Sequence, residues 1–125
     1  MVAAVLKTTP DPAAVLAKAT KNAATLLGLS QLELATVLGT SAPSVSRIAT
    51  KDRSIDPASH EGQAALMLIR IFRALDLLVG GNCAVKNAWM TSHNRALGAI
   101  PKVKIQTLLG LVHTVDYLDG MKGAA

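Results

Sequence analysis

Cysteine is nearly missing from this chain. Cys83 stands alone among 125 residues, which excludes an internal disulfide and a cysteine-based zinc cluster. Aromatic residues are almost as scarce, with only Phe72, Trp89 and Tyr117. The core must therefore be built from Leu, Ile, Val, Ala and Met. Long runs alternating apolar with polar residues are lacking too, and the abundance of alanine and leucine favours helix over strand. The most apolar stretch, residues 64–79, is interrupted by Arg70, Arg73 and Asp76, so it is too short and too charged to span a bilayer. Near the N-terminus, Thr8-Thr9-Pro10-Asp11 breaks any apolar run. A signal peptide is not expected, and a cytoplasmic, non-membrane protein is.

Acidic residues are also in short supply, eight against 13 Lys and Arg, for a net charge of +5. The excess lies at the two ends. Residues 1–55 carry six basic side chains against three acidic, residues 56–85 two against three, and residues 86–125 five against two. A basic balance suits a polyanionic partner. No recognisable metal motif joins the scattered His60, His93 and His113. No Ser/His/Asp spacing or glycine-rich phosphate loop stands out, so no cofactor and no enzymatic activity are expected. Cys83, near a helix start, reads as a buried structural thiol.

What is present is organised around residues 29–48. Ser30 can cap a helix carrying Leu32, Ala35, Val37 and Leu38, and Gly39 follows where a left-handed C-cap favours glycine. Ser41 and Pro43 then suit a second helix start, with Val45 and Ile48 on its inner side. This is a helix-turn-helix, whose second helix can enter a DNA major groove. In that reading Gln31 meets a backbone phosphate. Ser41, Ala42, Pro43 and Ser44 approach the groove floor, Arg47 reaches a guanine or a phosphate, and Lys51 and Arg53 contact the backbone.

Elsewhere, residues 1–10 read as an arm. Asp11-Pro12 is a helix-start signal for a helix with Val15, Ala19, Ala23, Leu26 and Leu27 on one face. Asp56-Pro57 repeats the signal, and a long helix is expected from there to Val79, with an apolar stripe of Ala65, Leu68, Ile69, Phe72, Leu75, Leu78 and Val79. Gly80-Gly81 ends it, and Asn82 can cap a helix from Cys83 to about Met90. Residues 91–101 are the least helical part of the second half, with Asn94 expected to bond the loop backbone and Trp89 to pack in the core. Pro101 can open a helix carrying Val103, Ile105, Leu108 and Leu109. A last helix, broken or bent near Gly110, carries Leu111, Val112, Val115 and Leu118 and is expected to end at Gly120 and Gly123. The expected fold is all-α. An arm (1–10) precedes a helix-turn-helix bundle (11–55), a long connecting or dimerisation helix (56–81) and a small helical domain (82–125).

The second half resembles a known family. Trp89, Asn94, Leu97 and Pro101 fall on the W-x-x-x-x-N-x-x-L-x-x-x-P core of the Xre/MbcA/ParS toxin-binding domain, and Gly110, Val115 and Leu118 on its closing G-x-x-x-x-V-x-x-L pattern. The chain departs from the common pattern at His93, at Ala99 and at Gln106-Thr107-Leu108-Leu109, where acidic residues are frequent. The resemblance implies an antitoxin of a bacterial type II toxin–antitoxin pair, all-helical and often dimeric. It implies a RES-domain, NAD-degrading toxin as partner, covered at its cleft by the C-terminal part, and operator DNA bound by the N-terminal part. Toxin contacts are then expected from Trp89, His93, Asn94 and Arg95 and from the tail Met121, Lys122, Gly123, Ala124 and Ala125. The second reading is a stand-alone helix-turn-helix regulator.

Overall fold

The computed structural model describes the backbone over residues 11–50 and 52–124, with side chains as far as Met121. Seven helices follow one another: α1 (Pro12–Leu26), α2 (Gln31–Leu38), α3 (Ala42–Ala49), α4 (His60–Val79), α5 (Cys83–Thr91), α6 (Pro101–Lys104) and α7 (Leu108–Ala124). Among the described residues the sole β-type pairing is an isolated bridge between Asn94 and Ala99. The fold is all-α, as expected.

The starts of the early helices follow from side-chain oxygens that accept the orphan amides of a first turn. Asp11 accepts from the Ala13 amide ahead of Pro12. Ser30 and Glu33 form a reciprocal capping box at α2: the Glu33 amide donates to Ser30 Oγ at 3.1 Å, and the Ser30 amide donates to Glu33 Oε1 at 2.8 Å. Gly39 closes α2 at φ 70°, a left-handed conformation that costs glycine little.

Helix α4 is the spine against which both ends of the chain pack: α1 and α2 lie on it from the N-terminal side, α7 and α5 from the C-terminal side. Its Ala64, Ala65, Leu68, Ile71, Ala74 and Leu75 are buried. They form one continuous core with Leu16, Leu34, Val45 and Ile48 on one side and Met90, Ile105, Leu111, Val115 and Leu118 on the other. Arg70 on α4 is ion-paired with Asp119 on α7.

Several expectations are corrected. The long helix begins at His60, capped by Ser59, because Asp56 spends its carboxylate on the Ala58 amide and holds residues 56–59 in a turn. The inner face of α1 is Leu16, Ala17, Thr20, Ala23 and Ala24, whereas Val15 and Leu26 are exposed. On α2, Leu34 is buried and Leu32 is 68% exposed. Leu78 and Val112 are likewise exposed. Cys83 is exposed, not buried.

The chain breaks between α6 and α7 at residues 105–107, not at Gly110. Thr107 makes the new start, its hydroxyl accepting from the Gly110 amide at 3.1 Å. Gly110 itself sits inside α7, where a Cβ would lie 1.9 Å from the Lys104 carbonyl oxygen. Only glycine lets the end of α6 approach so closely. Helix α7 then continues past Gly120 and Gly123 to Ala124, so the tail expected from Met121 is helical backbone as far as that residue.

Candidate functional site

Two exposed regions stand out, one on each side of α4. The first is built by the N-terminal ends of α2 and α3. Gln31 is the first residue of α2 and is exposed. Ser41 caps α3, and its hydroxyl also donates to Ser44 Oγ at 3.0 Å, while Arg47 Nη2 donates to the same Ser44 oxygen at 3.4 Å. Ser41, Ser44 and Arg47 thus lie together on one face, with Pro43 exposed and Ala42 half-buried beside them. Val45 and Ile48 hold the opposite face in the core. The expected DNA residues of α3 therefore share one face of that helix, while Gln31 is exposed at the start of α2.

Arg53 is differently placed. Its guanidinium meets Glu61 with two contacts, Nη1 to Oε1 at 2.8 Å and Nη2 to Oε2 at 2.9 Å. The hydrogen bond to that carboxylate raises its pKa further still. Its charge is thereby neutralised within the fold, tying the α3–α4 connector to the first turn of α4. Lys51 lies outside the described residues. Lys18 and Lys21 of α1 border a groove of about 520 Å³ with Val15, Ile48, Ala49 and Arg53. Lys21 Nζ donates to the Ala49 carbonyl at 3.3 Å.

The second region is made by the loop after α5, by α6 and by the start of α7. Asn94 organises the loop. Its Oδ1 accepts from the Leu97 amide at 3.1 Å, its carbonyl accepts from Gly98 at 2.8 Å, and its amide donates to Ala99 at 2.9 Å. Trp89 is half-buried against the core, and buried Leu97 and Pro101 anchor the two ends of the following segment. Exposed His93 and Arg95 flank Asn94, and Met121 is exposed on α7. The side chains of Lys122, Gly123 and Ala124, and all of Ala125, lie outside those described.

Sequence reasoning missed the most apolar part of this region. Leu109 is 84% exposed and Leu108 67%, and Val103, Val112 and Ile100 are exposed near them in sequence. In a helical reading they pass for core positions. The available signal was the departure at Gln106-Thr107-Leu108-Leu109, where leucines stand in place of acidic residues. Exposed apolar side chains that form a contiguous patch mark an interaction surface, whereas ones scattered singly are ordinary.

Also missed was Lys86, 2% exposed in α5. Its ammonium pairs with Asp76 Oδ1 at 2.6 Å and sits 4.8 Å from the Phe72 ring centre. Among the described residues no group of three or more His, Cys, Asp or Glu could hold a metal ion. No helix among them is long and apolar enough to cross a membrane.

A helix-turn-helix is joined through one shared helix to a second helical module that carries exposed apolar side chains. Residues 8–70 match the antitoxin Xre-like helix-turn-helix domain. Residues 74–123 match the antitoxin Xre/MbcA/ParS C-terminal toxin-binding domain. The chain belongs to this antitoxin family. The two matched regions meet inside α4, the helix that both halves pack on. Among curated proteins none matches the chain.

Proposed function

We propose that the protein neutralises a RES-domain, NAD-degrading toxin and represses its own operon. The reading is carried by one juxtaposition: Ile100, Val103, Leu108, Leu109 and Val112 are exposed, and all lie within the matched toxin-binding domain. Seating a toxin there removes apolar surface from water, and burying a leucine is worth about 1.5–3 kcal/mol. His93 and Arg95 on the preceding loop add polar anchors, and a basic surface suits an acidic partner. The end of α7, from Met121 onward, extends the contact and closes the toxin's cleft to NAD. Inhibition is steric, so the antitoxin needs no catalytic group or cofactor of its own.

Operator contacts fall to Gln31, Ser41, Ala42, Pro43, Ser44, Arg47 and Lys51. Arg53, spent on Glu61, contributes mainly by holding the connector. With one long basic side chain on α3, specificity rests on a homodimer that presents two copies to two half-sites. A cytoplasmic location follows from both partners.

Co-expression with the toxin encoded beside this gene tests the reading. The full chain is expected to restore growth, and a chain truncated after Gly110 to fail. Full neutralisation by the truncated chain overturns the part assigned to Val112 and the end of α7.

A further inference from the structure

Helix α6 belongs to the toxin-binding half, yet one of its side chains reaches the helix-turn-helix. Lys102 Nζ lies 3.2 Å from Glu33 Oε1. That same oxygen accepts the Ser30 amide in the capping box at the start of α2. We propose that Lys102 is a positioning residue for operator binding, acting through Glu33. This rests on the DNA reading of α2 given above.

The physical reason is charge placement. Glu33 stands in the first turn of α2, two residues after the exposed Gln31 proposed to meet a phosphate. A carboxylate there repels the DNA backbone, and Lys102 cancels it. The ammonium is not carried on a free arm. Buried Pro101 and Ile105 fix α6 on the core, and both side chains of the pair are only about a quarter exposed, at 24% for Lys102 and 27% for Glu33.

The same short helix carries exposed Val103 on the apolar surface. A partner seated on that surface lies against the helix that supplies the ammonium.

The test measures binding of the purified full chain to a duplex taken from directly upstream of its coding sequence, over a salt series. K102M leaves Glu33 uncompensated and is expected to weaken binding about threefold to tenfold, whereas K102R stays near wild type. E33Q keeps the capping box, since glutamine serves at that position. It also frees Lys102 for a phosphate. It is expected to tighten binding about threefold and to steepen the salt slope by about one. D116N, the same charge change at an exposed site on α7, controls for net charge and is expected to leave affinity unchanged.

Opposite signs for K102M and E33Q, with D116N silent, support the proposal. A merely structural pair moves both variants in the same direction. That result overturns the proposal and leaves the DNA reading intact, as does D116N matching E33Q. Wild type binding this duplex no better than an unrelated one overturns the DNA reading itself.

Discussion

Lys86 on α5 is buried against α4 with its ammonium 2.6 Å from Asp76 and 4.8 Å from the Phe72 ring centre. It is the one buried basic side chain among the described residues, and it joins the first helix of the C-terminal module to the spine. The two partners are not equivalent. Removing Asp76 leaves a buried cation with only a ring face to offset its desolvation, whereas replacing Lys86 by an apolar side chain of similar length removes the charge altogether. Asp76→Ala is therefore expected to cost about 1–3 kcal/mol, and Lys86→Met less. Chemical denaturation of both variants checks the order.

Gly110 is required by packing rather than by its backbone angles. A Cβ there meets the Lys104 carbonyl at 1.9 Å, and the α6–α7 junction must open to admit it. Gly110→Ala is expected to destabilise the protein by about 1–3 kcal/mol despite alanine's better helix propensity. A raised melting temperature for this variant contradicts the packing account.

The capping box makes part of the stability depend on pH. The Ser30 amide bonded to Glu33 lowers its pKa from the ordinary 4.5, burial opposes this, and Lys102 assists the lowering. A depressed folded value means that the fold favours the ionised carboxylate. Its contribution is then fully present above pH 4.5 and is lost as the pH falls through the folded value. The stability difference between wild type and Glu33→Gln is accordingly expected to shrink with acidification below that point. Melting temperatures of the two proteins from neutral pH downward measure it.

Much of the fold was legible because its punctuation is local. Asp11-Pro12, Ser30, Gly39, Ser41 and Asn82 act within one turn of themselves, and each performs its expected capping role. Helix faces were less legible. Helix α1 is so rich in alanine that several faces are equally apolar, and tertiary contact chose Leu16 over Val15. The start of α4 was displaced because Asp56 can cap a turn as readily as a helix. At the candidate sites, Asn94 declared itself through loop chemistry. Leu108 and Leu109 did not, because an exposed leucine and a core leucine are the same letter until the packing is known. The Glu33–Lys102 pair joins residues of different helices and leaves no local sequence signal.

In the proposed function, this chain disarms an NAD-degrading toxin through its C-terminal surface. The most direct measurement is the cellular NAD level in bacteria expressing the toxin encoded beside this gene, with wild-type antitoxin or with Leu108→Glu/Leu109→Glu. Wild type is expected to hold NAD at the level of toxin-free cells. The double variant, folded by circular dichroism, is expected to let it collapse. Undiminished NAD in cells expressing the toxin alone, or full protection by the double variant, contradicts the proposed function.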